Sequence, residues 1–258
     1  MAFGRSYGTL MTIKFEFLFV TTLSLPLVSL IICVFLALFF EFDRAVATHC
    51  MVRNYLPSLS ASIGGFTPQR YIWRTGVAFH SAPRLFVSLM YYNFYNSFAS
   101  IRNNEFLRKA ATVNCIVNML EILALLLLTY VSSTENYGVH EKMFISFMVF
   151  SIAHMLITLY LFRHLRDSDP EDVDLRRSLT WKHRLAVFNW TIFVMSLYFF
   201  FRHNKHCEPG VYTLFALCEY LVVLSNIFFH GTAYFDFKDY VFLAKNTRDE
   251  FPSFKRPA

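Results

Sequence analysis

Charged side chains are scarce in this sequence, and so are the residues that interrupt helices. Only 16% of the 258 residues are Asp, Glu, Lys or Arg, and the chain has eight Gly and eight Pro. A typical soluble domain carries about a quarter charged residues. Hydrophobic residues make up 55% of the chain, including 31 Phe and 14 Tyr. This composition excludes an ordinary soluble domain and indicates that lipid covers part of the surface.

Three common catalytic signatures are also missing. The sequence has no Gly-x-Ser-x-Gly nucleophile elbow and no glycine-rich loop that would cradle a phosphate. The pair His140-Glu141 lacks the second histidine of a zinc-binding helix, because Phe144 stands in its place. These absences argue against serine-hydrolase, nucleotide-dependent and zinc-protease chemistry, and we expect no metal site.

Long apolar runs replace these motifs, and they are continuous rather than alternating. A helix satisfies its own backbone hydrogen bonds in lipid, and about 20 apolar residues span the hydrocarbon core. The longest run, residues 17–40, holds 24 residues without a charge. The sequence therefore predicts an all-α membrane protein, a bundle of about six transmembrane helices in one polytopic domain (1–258), with spans at 17–40, 72–95, 110–131, 143–162, 185–201 and 210–230.

The distribution of Lys and Arg predicts the orientation of these spans. If the N-terminus is cytosolic, 16 of the 24 basic residues lie on the cytosolic side, as the positive-inside rule requires. Both termini are then cytosolic, including a polar tail at 236–258, and the largest lumenal loop covers 41–70. The net charge of +6 reflects this bias, and we expect no nucleic-acid partner.

Two of the five cysteines, Cys50 and Cys207, fall in loops that this topology places in the lumen. A secretory lumen is oxidising, so a disulfide between them is favoured. The alternative is a pair of free thiols, because spacing alone does not fix a pairing.

Short motifs along nearly the whole chain resemble the Frag/DRAM/Sfk family of multispanning membrane proteins, in its branch of post-GPI-attachment factors. They are THC (48–50), NYLPS (54–58), IGG (63–65), PQRYIWR (68–74), HSAPR (80–84), LTYVSS (128–133), FRHN (201–204), GVYT (210–213) and VVLSN (222–226).

This resemblance implies a function in lipid remodelling of GPI-anchored proteins. The expected reaction installs a saturated chain, typically stearoyl, at the sn-2 position of lyso-GPI, after another protein has removed the unsaturated chain. The resemblance implies a multi-pass protein of the Golgi membrane, with some cycling through the endoplasmic reticulum. The expected partners are membrane lipid, lyso-GPI-anchored proteins and the protein of the preceding deacylation step. No cofactor is expected, and the acyl donor is acyl-CoA or a phospholipid.

Ionisable and amide side chains inside the predicted spans are the candidates for chemistry, because they are costly at membrane depth. They fall into helical stripes that should face one another within the bundle. The stripes comprise His80 and Arg84 in the second span, Asn114, Asn118 and Glu121 in the third, His154 in the fourth, and Glu219, Asn226 and His230 in the sixth.

Acyl transfer to an alcohol needs a base and hydrogen-bond donors for the developing oxyanion. We assign His80 as the base, Glu121 as its orienting carboxylate and Asn118 as a polar or oxyanion donor. The phosphate and headgroup would be bound by Arg74, Arg84, Glu219 and His154.

A structural interpretation of the same residues stays open. Arg84 would then pair with Glu121 or Glu219, and the asparagines would join helices through hydrogen bonds. The roles of His154 and His230 are open in either interpretation.

Two functions therefore compete: an acyltransferase, and a non-catalytic lipid-binding or scaffold protein that presents lyso-GPI to a separate enzyme. A carrier is less favoured, since the sequence lacks the internal repeat common in transporters. An enzyme requires a histidine and a carboxylate converging on a cavity, whereas a scaffold requires only a packed bundle with paired charges.

Overall fold

A computed structural model describes residues 9–245 of the chain. Within this range, the fold consists of helices and one two-stranded sheet, so the predicted all-α membrane fold is confirmed. The elements are β1 (Thr9–Lys14), α1 (Phe15–Phe40), α2 (Phe42–Ala45), α3 (Leu59–Gly64), α4 (Gln69–Ser97), α5 (Ala99–Arg102), α6 (Glu105–Tyr130), α7 (Tyr137–Ser168), α8 (Val173–His206), α9 (Val211–Gly231), α10 (Ala233–Phe237) and β2 (Val241–Lys245).

Five segments of the described chain are long and apolar enough to cross a membrane. They are α1, α6, α7, α8 and the segment Val211–Phe237, which contains α9 and α10. The sixth long helix, α4, has 29 residues and packs between α1 and α6. It is less apolar than the others because it carries polar side chains that face the protein interior, among them His80 and Arg84.

Several helices extend well beyond the predicted spans. The charged segment 163–184, which composition favours as a loop, is helical except for residues 169–172. Asp172 ends this break, because its carboxylate accepts a hydrogen bond from Leu175 N at 2.8 Å and caps α8. Asn104 and Asn136 cap α6 and α7 in the same way. Charged residues indicate where a helix leaves the lipid, whereas the capping residues show where the helix itself begins.

The loop between α1 and α4 is tied to the turn between α8 and α9. Cys50 and Cys207 form a disulfide, as predicted, across a sequence separation of 157 residues. Next to it, Gly210 N donates to Arg53 O at 2.9 Å, and Tyr55 N donates to Thr213 Oγ1 at 2.9 Å. This loop therefore covers the start of α9 rather than extending freely into solvent.

The two ends of the described chain meet on the other side of the bundle. β1 and β2 pair in antiparallel fashion, with Lys14 opposite Val241. The start of the predicted polar tail (236–258) is therefore part of the fold. Residues 236 and 237 belong to α10, and residues 241–245 form β2. A polar composition does not reveal a short strand whose partner lies more than 200 residues away. Residues 246–258 of that tail lie outside the described part of the chain.

Helices α1 and α4 approach closely at Gly76. A Cβ atom at this position would collide with the Ser29 hydroxyl, and the Leu25 carbonyl oxygen would be 3.1 Å away. Glycine is needed here for this close approach, which places α1 directly against the face of α4 that carries His80.

Candidate functional site

A buried cluster of charged and polar side chains lies where α4, α6, α7 and α9 meet. Arg84 Nη2 lies 3.3 Å from Glu121 Oε1 and 2.6 Å from His230 Nε2. His230 Nε2 is 3.1 Å from the same carboxylate oxygen. The exposed fractions of the side chains are 6% for Arg84, 0% for Glu121 and 14% for His230. The structure thus joins α4, α6 and α9 through one shared carboxylate.

Side chains of α7 and α9 complete the surroundings of this carboxylate. Asn226 donates to Glu121 Oε1 at 3.3 Å and to Ser151 Oγ at 2.7 Å. The rings of His154 and His230 stack with centroids 5.4 Å apart and planes inclined by 5°. His154 also contacts Asn114 Oδ1 through Nδ1 at 3.1 Å. The predicted facing stripes therefore do meet, except for Glu219.

His80 lies beside this cluster but is held by α1. Its Nδ1 is 2.6 Å from the carbonyl oxygen of Thr22. A carbonyl only accepts hydrogen bonds, so Nδ1 must carry the proton. In the neutral ring, Nε2 then holds the free lone pair. A backbone carbonyl orients this histidine, and no hydrogen bond to Glu121 is present among the described residues.

The tautomer of His230 follows from the same reasoning. Arg84 is always a donor, so its 2.6 Å contact, the shortest that this nitrogen makes, requires His230 Nε2 to accept. The Glu121 oxygen 3.1 Å from Nε2 is also an acceptor, so in this tautomer it is bonded to Arg84 and Asn226 and not to His230. The ring proton is then on Nδ1, for which residues 9–245 provide no hydrogen-bond partner. His80 therefore offers an acceptor nitrogen and His230 offers a donor nitrogen.

A small cavity of about 30 Å³ lies between α1, α4, α6, the end of α9 and the start of α10. This volume holds about one water molecule. Its wall combines polar side chains with apolar ones, among them Phe19, Leu23 and Val87. The polar lining includes Thr22, His80, Arg84, Asn118 and His230.

Two acceptor atoms near this cavity are buried without a partner in the described chain. They are Asn118 Oδ1 and Glu121 Oε2, which lie one turn apart on α6. A buried acceptor without a donor costs about 1–3 kcal/mol. Of the two residues, only Asn118 lines the cavity, so its amide oxygen is the candidate acceptor for a ligand hydroxyl there.

Arg74, a predicted phosphate ligand, is engaged elsewhere. It donates to the Thr129 and Tyr130 carbonyl oxygens at 3.4 and 2.8 Å, and to Glu135 at 2.5 Å. Glu135 also accepts from the backbone N–H and the hydroxyl of Ser132 at 3.0 and 2.9 Å. The Ser132 donors, followed by Arg74, lower the pKa of Glu135 to about 2. Arg74 thus links α4 to the end of α6, away from the cavity.

Glu219 is likewise separate from the cluster. Its Oε2 accepts a hydrogen bond from Leu59 N at 3.0 Å, at the start of α3. Its neighbour Tyr220 donates to the Pro57 carbonyl oxygen at 3.1 Å. These two residues attach the loop between α1 and α4 to α9, which is a structural contact.

Glu121, His154 and His230 also place one ligand-type atom each within 4.8 Å of one another. Two histidines and a carboxylate are a common donor set for transition metals. Here the Arg84 guanidinium is in contact with His230 Nε2, so a metal ion bound to that nitrogen would have to displace an existing cation. The arrangement is better described as a hydrogen-bonded charge network.

The structure contains a second buried ion pair, which the sequence patterns do not predict. Lys182 Nζ lies 2.6 Å from Asp236 Oδ2, and both side chains are 1% exposed. Tyr91, which also lines the cavity, donates to the same Asp236 oxygen at 2.6 Å. This pair fixes α10 against α8 and α4. The positions of the apolar runs place both residues in cytosolic segments outside the bundle, so the sequence does not indicate that they pair.

Comparisons with known proteins agree with this architecture. Residues 14–240 match the profile of the Frag1/DRAM/Sfk1/Cwh43P N-terminal domain. The chain is 45% identical over 233 residues to Acyltransferase PGAP2 of Xenopus tropicalis, covering 90% of this chain and 91% of that protein. It is 40% identical over 239 residues to Post-GPI attachment to proteins factor 2 of Caenorhabditis elegans, covering 92% and 90%. No solved structure matches the chain significantly. The chain therefore belongs to the Frag1/DRAM/Sfk1/Cwh43P family of membrane proteins.

Proposed function

We propose that this protein is an acyltransferase of GPI-anchor lipid remodelling that transfers a saturated acyl chain, such as stearoyl, to the sn-2 hydroxyl of lyso-GPI. The names of its relatives support a role in GPI-anchor remodelling and, for the frog protein, the transfer of an acyl group. The Golgi membrane is the proposed location, since remodelling acts on proteins that have left their site of GPI attachment.

The observation that carries this proposal is the orientation of His80. Thr22 holds Nδ1–H, so the lone pair on Nε2 remains available, and the side chain lines the cavity. A neutral imidazole with a free nitrogen is the group that most often removes a proton from an attacking hydroxyl. Arg84, one turn further along α4, places a fixed positive charge in the same cavity.

The roles of the other predicted residues change with this geometry. Glu121 holds Arg84 and contacts His230, so it positions the cation rather than His80. Asn118 lines the cavity and has an unpaired oxygen, which suits the binding of the acceptor hydroxyl. We propose Arg84 for charge stabilisation within the cavity, and no headgroup role for Arg74, whose donors are engaged by α6 and Glu135.

The cavity in this structure is far smaller than a lipid, so substrate binding requires helices to separate. The contact of α1 with α4 and α9 forms one wall of the cavity, through Phe19, Thr22 and Leu23. We propose that lyso-GPI and the acyl donor enter from the membrane when α1 moves outward. The donor is an acyl ester or thioester, because either presents the carbonyl that the hydroxyl attacks.

The closed, largely paired cluster also favours a second candidate function. A protein that only binds lyso-GPI and presents it to a separate acyltransferase needs buried charges for packing and no functional base. The Arg84–Glu121 pair and the small cavity fit this scaffold function. The two candidates differ in the consequence of removing His80 from a folded protein.

A cell-based experiment tests the role in remodelling. Cells that lack this protein are complemented with the wild-type chain or with His80→Gln, and the lipid of their GPI anchors is analysed by mass spectrometry. We expect saturated sn-2 chains to return with the wild type and to be absent with His80→Gln at equal protein abundance. Restoration by neither chain would overturn the remodelling function, and equal restoration by both would favour the scaffold.

A further inference from the structure

We infer that His230 is a catalytic residue, which acts with Arg84 as the hydrogen-bond donor pair for the oxyanion of the transferring acyl group. This inference rests on the proposed acyltransferase function and assigns to His230 a role that its sequence position left open. The two histidines of the cavity then have complementary tasks, because His80 accepts a proton and His230 donates a hydrogen bond.

The first support is the protonation pattern that the contacts impose. Arg84 Nη2 donates to His230 Nε2 at 2.6 Å, which leaves the proton on Nδ1. In the neutral tautomer that this contact requires, His230 therefore presents Nδ1–H, and none of residues 9–245 accepts it.

The second support is the location of the free donors. His230 and Arg84 both line the cavity that contains His80. The Arg84 contacts to Glu121 and His230 use Nη2 alone, and no hydrogen bond within the described chain engages its Nε or Nη1. Donors that are fixed before the reaction and point to where charge develops are the main requirement of an oxyanion site.

The third support is the rigidity of the two donors. His230 is stacked on His154 and accepts a hydrogen bond from Arg84 at 2.6 Å, so its ring cannot turn freely. Glu121 is itself held by Asn226. Glu121 holds the guanidinium through Nη2 and leaves Nε and Nη1 free, and His154 holds the imidazole by stacking, so both serve as positioning residues.

The reaction balances with these groups alone. The acceptor hydroxyl oxygen bonds to the carbonyl carbon of the donor ester or thioester while its proton moves to His80 Nε2. The carbonyl π electrons move to oxygen, where His230 Nδ1–H and Arg84 bind the resulting oxyanion. The intermediate then collapses, the bond to the departing oxygen or sulfur breaks, and His80 returns the proton to that atom.

Kinetics of the purified protein in lipid nanodiscs test this inference, with lysophosphatidylinositol as acceptor and either stearoyl-CoA or distearoyl phosphatidylcholine as donor. His230→Leu should lower kcat by about 10²–10³-fold with little change in KM, since an oxyanion donor acts only in the transition state. His230→Gln should recover part of the rate, because its amide keeps an N–H donor. His183→Gln, at an exposed position of α8, is the matched control and should retain wild-type rates.

A pH–rate profile separates the two histidine roles. His230→Leu should lower the rate by the same factor at every pH, because His230 donates a hydrogen bond and takes up no proton, whereas loss of a proton-transferring group would change the shape of the profile. A kcat for His230→Leu within threefold of wild type, or equal rates for the Leu and Gln variants, would overturn the oxyanion role. Absence of transfer by the wild-type chain itself would instead overturn the proposed function.

Discussion

The Nδ1 nitrogen of His80 lies 2.6 Å from the carbonyl oxygen of Thr22, so a backbone atom of α1 orients this histidine. This relationship makes the position of α1 a determinant of the chemistry in α4. Gly76 lies one turn before His80, at a position where the backbone of α4 comes close to Ser29 and Leu25 of α1.

Replacement of His80 is the first prediction. His80→Gln should reduce acyl transfer by about 10²–10⁴-fold, the usual contribution of a general base, while the protein folds and reaches its membrane. His154→Ala is the comparison, because His154 is equally buried but does not line the cavity. We expect a milder loss for it. Stearoyl incorporation per folded protein measures both, and equal losses for the two variants would contradict the base assignment.

Gly76→Ala should damage activity through the position of α1. The added methyl group would collide with Ser29 and push α1 away from α4, which would separate Thr22 from His80. Overpacking of this kind costs about 1–3 kcal/mol of stability. Gly138→Ala is the matched control, because the nearest atom to its Cβ would be 3.8 Å away.

Thermal unfolding and transfer activity should both fall for Gly76→Ala and stay unchanged for Gly138→Ala. A Gly76→Ala protein with wild-type activity would show that the Thr22 contact is unimportant for catalysis.

The Arg84–Glu121 pair should respond differently to single and double substitution. Arg84→Leu leaves Glu121 charged and buried, and Glu121→Leu leaves Arg84 in the same situation. Removing one member of a buried pair typically costs about 3–5 kcal/mol. The double variant removes both charges and should recover much of that stability, but not the transfer activity.

Unfolding of the four proteins in detergent gives the coupling between the two side chains. Additive losses in the double variant would contradict the pairing. Recovery of activity together with stability would show that Arg84 serves the fold alone.

The hydrogen bonds of Glu135 to Arg74 and Ser132 should be insensitive to mild acid. Its Ser132 and Arg74 donors lower the pKa to about 2, below the usual 4.5. A depressed carboxyl pKa contributes stability that is complete above about 4.5 and is lost only as the pH falls toward about 2. The difference in melting temperature between wild type and Glu135→Gln should therefore be the same at about pH 7.5 and about pH 5. A difference that vanishes at the lower pH would contradict the lowered pKa of Glu135.

The sequence predicted the bundle and most of the cluster because lipid imposes simple rules. Polar side chains must face inward, so the stripes of α4, α6 and α9 could be expected to meet, and Glu121 does lie against Arg84. The loops predicted to be lumenal do contain the joined cysteines. These inferences needed only helical spacing and the chemistry of the environment.

The partner of His80 could not be predicted, because it is a carbonyl group and every residue has one. Glu219 was placed in the cluster by its depth, but its rotation about α9 brings it to Leu59 N instead. The polar composition predicts a tail that begins at Asp236, whereas the Asp236 carboxylate pairs with Lys182 inside the fold. Each difference depends on how helices rotate and where chain ends return, which composition does not encode.

Transfer of labelled stearoyl by the purified protein tests the central claim most directly. The wild-type chain and His80→Gln are reconstituted separately in nanodiscs with lyso-GPI and a labelled stearoyl donor, and the labelled product is quantified at equal amounts of folded protein. The account predicts transfer by the wild type and its loss in His80→Gln. No transfer by a wild-type preparation that restores remodelling in cells would contradict it, because the protein would then present lyso-GPI to another enzyme.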